Sequence, residues 1–288
     1  MFQDASLSFK IATYNLEVTR RPEKLISNIV EMAKNGVDIF CLQEVIPSGQ
    51  DDDFILHKLL KKLGDGWEAE WSLEDAAKPF AFGNAIVWNK LRFKKISINI
   101  LLLPQRRHPL WHEKIFSRMV GFSGKSVSRR GLVIDFIFYR QKIRVCSVHA
   151  DVLGGASHRR EQVRVLLENL SHLPIVEQTI IAGDFNTINI VAKDKERRRL
   201  QQIFAEYGFM DSTNDIAWSH DIYQANLAKD NLLLGKFIKG LNLHFRQKLD
   251  YIWAKNLHAL HAHSVKATGS DHLPLVAQFE LKKLAQKA

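Results

Sequence analysis

Apolar residues recur at helical spacing in four segments of the chain. The first, residues 22–35, lies between Pro22, a favourable first helical residue, and Gly36, a favourable helix end. A second helix is expected between the acidic run 51–53, whose charges suit a helix N-terminus, and Gly64. Two more are expected, one after His158 and one ending at Gly208. The four apolar faces consist of Leu25, Ile26, Ile29, Val30 and Ala33; Leu56, Leu59, Leu60 and Leu63; Val163, Leu166, Leu167 and Leu170; and Leu200, Ile203, Phe204 and Tyr207.

Shorter apolar runs predict β-strands. Strands alternate with helices in the first half, whereas residues 84–88, 91–103, 131–139 and 143–149 are predicted as neighbouring strands with no helix between them. This mixed order predicts helices that pack outside sheets, with the sheets also packed on each other.

The length and composition favour a single globular domain over residues 1–288. The chain of 288 residues is 46% hydrophobic and 25% charged, and no Pro/Gly/Ser-rich linker divides it. We find no apolar stretch of membrane-spanning length and no secretory signal in Met1–Asp4, so a cytoplasmic location is expected. Cys41 and Cys146 lie inside apolar strand patterns and are expected to be buried thiols, as is usual in a reducing compartment.

The chain is basic, which favours polyanionic partners. It contains 41 Lys+Arg against 31 Asp+Glu, a net charge of +10. Residues 104–130 alone hold seven Lys or Arg and one acid, with aromatic residues interspersed, which suits a polyanion with flat apolar parts. Residues 231–245 are apolar and basic, as expected of a lid or an interfacial helix. We interpret 104–130 and 217–248 as specificity loops, although both could equally be long loops folded on their own cores.

Six predicted strands begin or end with polar groups that suit phosphate chemistry. The run Ile180–Thr187 is the most informative, because Asp184 and Asn186 project to the same side of an extended segment. A carboxylate can hold water or a metal ion, and an amide can donate to a phosphoryl oxygen. The other polar positions are Asn15 with Glu17, Glu44, His149, Asp250, and Asp271 with His272.

If these strand ends converge, the oxygen ligands Glu44, Asp271, Asp184 and Glu17, with Asn15, suit Mg²⁺ or Mn²⁺ better than zinc. His272 and His149 would supply groups that titrate near neutrality, and Asp250 could orient one imidazole. No Ser or Cys stands in a nucleophile setting, so direct attack by water is favoured.

The ordered set Asn15, Leu42-Gln43-Glu44, His149, Gly183-Asp184-Phe185-Asn186, Asp250 and Ser270-Asp271-His272 resembles the endonuclease/exonuclease/phosphatase superfamily over essentially the whole chain. This resemblance implies an α/β fold, a four-layer α/β/β/α sandwich of two packed mixed sheets flanked by helices. It implies Mg²⁺, replaceable by Mn²⁺, with Glu44 as principal ligand and Asn15 and Asp271 nearby. Glu17 stands where one branch has an acid.

The resemblance also implies catalytic roles. Asp184 and Asn186 would position water and phosphate, and His272 would act as the base, oriented by Asp250. His149 resembles the second histidine of the deoxyribonuclease, sphingomyelinase and phosphatase branches, which implies a role as leaving-group acid. In deoxyribonucleases an acid on a mid-chain strand supports this histidine. The comparable region here reads Gly83-Asn84-Ala85-Ile86, so an amide is expected to take that place.

The candidate substrate-binding residues are Asn84, Arg129, Arg130, Arg159 and Arg160. Arg159 and Arg160, with Gln162, lie at a predicted helix start where they could bind phosphate, although a solvated first turn is an equal alternative. His258, His261 and His263 fit no closed zinc site, and their local pattern predicts a strand.

Three functions remain open at this point. We favour a monomeric Mg²⁺-dependent nuclease, in which His272 activates water and nucleic acid is the partner. The alternative is a phosphatase or phospholipase C-like hydrolase of phosphoinositide or sphingomyelin-type headgroups, with peripheral membrane contact. A non-catalytic binding module on the same scaffold is the third.

Overall fold

In the computed structural model, each of two sheets is organised around one parallel strand pair. The structure describes residues 7–46, 54–75, 82–105, 128–188, 195–221 and 246–281. Most of the predicted loops 104–130 and 217–248, including all of segment 231–245, lie outside these ranges, as does the acidic run 51–53.

The first sheet is formed by the two ends of the chain. Its strands are β1 (Ser8–Asn15), β2 (Ile39–Val45), β3 (Trp67–Asp75), β4 (Phe82–Asn89), β13 (His258–Ser264) and β14 (Leu275–Glu280), in the order β13-β14-β1-β2-β4-β3. β1 and β2 are parallel because helix α1 (Pro22–Lys34) connects them as a crossover, and the remaining pairs are antiparallel.

The second sheet is formed by the middle of the chain. Its strands are β5 (Lys94–Leu102), β6 (Arg130–Phe138), β7 (Gln141–His149), β8 (Gln178–Asp184), β9 (Met210–Asp211) and β12 (Asp250–Lys255), in the order β5-β6-β7-β8-β12-β9. Helix α3 (Gly155–Ser171) connects the parallel strands β7 and β8. A small ribbon pairs β10 (His220–Asp221) with β11 (Arg246–Gln247).

The described part of the chain contains three apolar clusters that separate four layers. One cluster lies between the sheets and includes Phe9, Trp88 and Phe136. α1 and α2 (Ile55–Leu63) cover the outer face of the first sheet, and α3 and α4 (Lys195–Glu206) cover that of the second. The predicted α/β/β/α sandwich is therefore confirmed.

Most predicted elements agree with the structure to within a few residues. One helix differs, because α3 begins at Gly155, three residues before His158. The strand expected from residue 91 begins at Lys94, after a turn that Asn89 caps by accepting a hydrogen bond from the Leu91 backbone N–H. Cys41 and Cys146 are both buried and free, as predicted. No helix in the described ranges is long and apolar enough to cross a membrane.

Candidate active site

The carboxyl ends of the two parallel pairs meet at one edge of the sandwich. Asn15 ends β1 and Asp184 ends β8, and the Asn15 amide donates to Asp184 Oδ2 at 2.9 Å across the gap between the sheets. Deeper in the gap, Gln43 donates to Ser147 Oγ at 3.2 Å. Open α/β sheets bind ligands beyond the carboxyl ends of their strands, so this edge is the expected position for a site.

Asp184 lies at the centre of the converging side chains. Its Oδ2 is 3.7 Å from His149 Nε2 and 3.8 Å from His272 Nε2, in addition to the Asn15 contact. Burial and the neighbouring Asp250 carboxylate raise the pKa of Asp184 to about 7. Asp184 Oδ1 accepts from the Asn186 backbone N–H at 2.8 Å, while the Asn186 side chain donates one N–H to the carbonyl of Ala150.

Glu44 is held at the site by backbone of unusual conformation. Its φ is 57°, next to a register shift where β2 leaves β4, and such left-handed backbone is uncommon outside glycine. Glu44 Oε2 accepts from the Val18 N–H at 2.8 Å, in a turn where Glu17, Val18 and Thr19 also have positive φ. Strained backbone of this kind concentrates at functional sites. Burial raises the pKa of Glu44, and the charge of Asp271 adds to the effect.

His272 and Asp250 form a close pair. His272 Nδ1 lies 2.7 Å from Asp250 Oδ2, so Nδ1 carries the proton and Nε2 faces Asp184. Burial lowers the pKa of His272, but Asp250 and Asp184 outweigh it and raise the pKa well above its usual value. Ser270 fixes the segment, because its hydroxyl donates to the Asn15 carbonyl and accepts from the His272 N–H. Ser219 Oγ accepts from the N–H groups of Leu249 and Asp250 and so fixes the acid.

His149 is held by Arg129 and not by a carboxylate alone. Arg129 donates to His149 Nδ1 at 2.8 Å, and the same guanidinium contacts Glu74 at 2.8 Å and Asp151 at 3.0 Å. Burial lowers the pKa of Arg129, but Glu74 and Asp151 outweigh it and raise the pKa, so Arg129 stays charged. Burial and Arg129 lower the pKa of His149 well below its usual value. His149 is therefore neutral, with its proton on Nε2, and this atom has no partner among the described residues.

The supporting residues of His149 correct one expectation. Asn84 does not support His149 directly; it donates to Glu74, whose Oε2 is 3.7 Å from His149 Nδ1. Glu74 lies at a bulge in β3, opposite Gly83. A Cβ at Gly83 would lie 2.0 Å from the Ser72 carbonyl oxygen, so only glycine allows the strands this approach.

Three of the predicted substrate-binding residues are buried in the protein instead of lining an open surface. Asn84 is fully buried with Glu74 and the Arg130 carbonyl as partners, and Arg129 has the three partners given above. Arg159 forms a two-point ion pair with Glu196, because α3 packs against α4. Arg130 begins β6 and Arg160 lies in the first turns of α3, both half-buried, and their substrate role stays a prediction.

The oxygen-rich donor set fits a hard divalent cation. Glu44, Asp184, Asp250 and Asp271 bring four carboxylates to one edge, where Asp184 and Asp250 are buried, and Asp250 Oδ1 has no partner among the described residues. Burial raises the pKa values of Glu44 and Asp184, and the charges of Asp271 on Glu44 and of Asp250 on Asp184 add to the effect. A bound cation would oppose this shift. Asn15 and Glu17 adjoin this cluster, and Glu17 donates its N–H to Asn15 Oδ1.

Sequence reasoning did not identify Glu74, Asp151, Ser219 or His220. Glu74 and Asp151 hold Arg129, Ser219 holds Asp250, and His220 Nε2 lies 3.4 Å from Asp271 Oδ2. The alternating run Trp67–Asp75 contains the acid Glu74 and was the one sequence signal available for these residues. The sequence of a strand does not show which strand it pairs with, so the position of Glu74 beside Arg129 could not be inferred from it.

Comparison with known proteins relates the chain to other proteins through structure alone. No protein-family model matches the sequence, and no curated protein matches it. D. rerio TDP2 complexed with a single-strand DNA product superposes with a TM-score of 0.65 at 16% identity, covering 95% of this chain and 99% of that one. An endonuclease/exonuclease/phosphatase from Bacteroides vulgatus superposes with a TM-score of 0.67 at 14% identity, covering 96% and 99%.

ANGEL2, described as a 2′,3′-cyclic phosphatase, superposes with a TM-score of 0.61 at 16% identity, covering 95% of each chain. These proteins match the chain over almost its whole length but share few residues with it, so the similarity is one of backbone fold. The chain has the fold of the endonuclease/exonuclease/phosphatase superfamily.

Proposed function

We propose that this protein is a Mg²⁺-dependent phosphoester hydrolase that cleaves phosphodiesters in nucleic acid. The observation that carries the proposal is the His272–Asp250 pair, 2.7 Å apart, with Nε2 of His272 turned towards the central Asp184. A histidine oriented by a carboxylate can act as a general base towards water, and an oxygen-rich cluster beside it can bind the cation that neutralises a phosphate.

Glu44, Asp271 and Asn15 would hold the cation, with Glu17 beside them. The bound cation would neutralise phosphoryl oxygens and the charge that develops on the leaving oxygen. The charge of the cation would also oppose the carboxylates that raise the pKa of His272, bringing that pKa closer to neutrality.

His272 Nε2 would accept a proton from the attacking water, and Asp250 would stabilise the imidazolium that results. Asp184 would orient the water, because its Oδ2 faces both histidines. Asn186 retains one side-chain N–H for a phosphoryl oxygen after its contact with Ala150.

His149 would act as a hydrogen-bond donor and not as a proton-transferring acid. Arg129 occupies Nδ1, so the neutral ring presents its Nε2–H to the site, 3.8 Å from Glu44 Oε1. A fixed N–H aimed at a phosphoryl or leaving oxygen stabilises developing negative charge without a change of protonation. This revises the role expected for His149 from the sequence.

Nucleic acid is favoured as substrate by the net charge of +10 and by the single-strand DNA product bound to a protein of the same fold. The 2′,3′-cyclic phosphatase of the same fold supports a phosphatase as the second candidate.

The test is an assay with Mg²⁺ against single-stranded DNA, plasmid DNA, RNA, sphingomyelin and phosphoinositides. Glu44→Gln removes the charge that holds the cation, so cleavage should become undetectable, and EDTA should do the same until Mg²⁺ or Mn²⁺ is restored. Glu70→Gln is the matched control, since Glu70 lies on β3 in a surface ion pair with Lys95. Full activity in EDTA would rule out the cation-dependent mechanism.

A further inference from the structure

His220 is fixed beside the site by backbone hydrogen bonds. Residues 219–221 run antiparallel to residues 271–273, with an isolated bridge between His220 and His272. The Leu273 N–H donates to the Ser219 carbonyl at 2.6 Å, and the Asp221 N–H donates to the Asp271 carbonyl at 3.1 Å. Directly opposed residues in such a bridge have neighbouring side chains, so the two imidazoles are held together by the fold.

The side chains bring three possible metal ligands together. His220 Nε2 lies 3.4 Å from Asp271 Oδ2, and His272 Nε2 lies 3.9 Å from Asp271 Oδ1. The ring centroids of the two histidines are 4.9 Å apart. One ligand atom from each of the three residues lies within 4.8 Å of the other two.

The hydrogen-bond geometry of the two histidines suits a metal site. His272 Nδ1 lies 2.7 Å from Asp250 Oδ2, which turns Nε2 away from that acid, and a carboxylate behind a ligating histidine is the usual support of a metal site. His220 Nδ1 has no hydrogen-bond partner in the described ranges. The His220 side chain is 17% exposed, so an ion could reach it from solvent.

We propose that His220, Asp271 and His272 form a site for a transition-metal ion of the Zn²⁺ type, which shares Asp271 with the oxygen-rich Mg²⁺ site and differs from it in having two nitrogen ligands. Two imidazole nitrogens and one carboxylate are the ligands that Zn²⁺ and Co²⁺ prefer, whereas Mg²⁺ prefers oxygen ligands and water. Three protein ligands leave one position of a tetrahedral ion for water.

The site has a consequence that rests on the proposed function. A metal ion on His272 Nε2 occupies the lone pair that would accept the proton of water, and it engages Asp271 as well. Zn²⁺ therefore inhibits hydrolysis in the presence of Mg²⁺, and His220 determines the concentration at which it does so.

The other histidine group of the chain provides a matched control. His261 and His263 lie on β13 with stacked rings 5.1 Å apart. They do not belong to a group of three ligands within 4.8 Å among the described residues. His263→Ala removes one surface imidazole without changing the proposed site.

The experiment titrates the full-length protein with Zn²⁺ by calorimetry and with Co²⁺ by visible absorption, with Mg²⁺ in excess. We expect one ion per chain, and a tetrahedral Co²⁺ spectrum. His220→Ala and His220→Gln should each weaken binding by about 10²-fold, since one of three ligands is lost, whereas His263→Ala should not. The Gln variant retains a side chain of similar reach, which guards against a folding defect in the Ala variant.

Equal Zn²⁺ affinity in the wild type and both His220 variants would overturn the proposal, and so would a loss of binding in His263→Ala. Inhibition is measured separately, relative to the Zn²⁺-free activity of each variant. The Zn²⁺ concentration that gives half inhibition should rise in the His220 variants by the same factor as the dissociation constant. If no protein hydrolyses any phosphoester but binding still depends on His220, the proposed function fails and the metal site stands.

Discussion

Arg129 makes three contacts that depend on the shape of a guanidinium. Its Nη1 donates to both Glu74 and His149, its Nε donates to Asp151, and the side chain is buried. A lysine carries the same charge but presents its donors at one point, so it cannot reproduce this arrangement. Arg129 is therefore a positioning residue that fixes the tautomer of His149.

Arg129→Lys should lower kcat by about 10-fold with little change in KM, because His149 loses its fixed orientation. His149→Ala should lose about 10²-fold, and the double variant should be no slower than His149→Ala, since Arg129 acts through His149. Steady-state kinetics on the four proteins provide the measurement. Arg144→Lys is the matched control, because Arg144 on β7 forms a similar buried two-point pair, with Asp135 on β6, and its hydrogen-bond partners among the described residues do not include His149. Full multiplication of the two losses would contradict this role.

The site residues that could be predicted from the sequence are those at the end or the beginning of a strand. Asn15, Asp184, His149 and Asp250 occupy such positions, and the structure brings them together. Glu74 could not be predicted, because a bulge turns it inward and the bulge arises from pairing with β4. His220 depends on a bridge between segments about fifty residues apart, for which the local sequence contains no signal.

At the scale of elements, Lys248 ties the start of β12 to β9. Its Nζ donates to Asp211 Oδ2 at 3.1 Å and to the Thr213 carbonyl, within a buried position. Burial lowers the pKa of Lys248 to about 8, against the opposing effect of Asp211. The pKa of a lysine in the unfolded chain is about 10.4. At pH values between these two pKa values, the unfolded state binds more protons than the folded state.

The free energy of unfolding should therefore gain about 1–2 kcal/mol from Lys248 as the pH rises from about 8 to about 9.5. Lys248→Met should lack this gain, and urea unfolding at several pH values in the wild type and the variant measures the difference. Lys255→Met, at the end of β12, is the control. Identical pH dependence in the wild type and Lys248→Met would exclude this account.

Helices and strands in which apolar residues recur at a regular spacing were predicted well, and those without such a pattern were not. α1 matches its prediction because Pro22 and Gly36 mark both ends of one apolar face. β3 is an edge strand whose charged residues alternate with apolar ones, so it contains no apolar run to reveal it. The two-residue strands β9, β10 and β11 are too short to show a pattern of apolar residues, and only their pairing with other strands defines them.

At the scale of the whole molecule, the net charge of +10 favours association with a polyanion, and residues 104–130 contribute much of it. Replacement of Arg106, Arg107 and Lys114 by Ala should reduce the slope of log affinity against log salt by about 0.7 for each lost phosphate contact on single-stranded DNA. Filter binding at several salt concentrations measures this slope.

Replacement of Lys61, Lys62 and Lys94 removes equal charge from α2 and β5 and should change the slope less. An unchanged slope in the Arg106/Arg107/Lys114 variant, together with lost binding to anionic liposomes, would favour a lipid substrate.

The two-sheet organisation itself was predictable from the order of helices and strands. That the sheets pack on each other was predicted as well, but the individual side-chain contacts between them were not, because residues such as Gln43 and Ser147 meet across 104 residues of chain.

The position of β14 between β1 and β13 sets the order in which the site can form during synthesis. Asn15 and Glu44 leave the ribosome early, whereas Asp271 and His272 lie immediately before β14 and leave it late. Until β14 pairs with β1, the segment that carries Asp271 and His272 is not held beside Asn15. His272, the base of the proposed mechanism, is therefore the last residue of the site to be added to the chain.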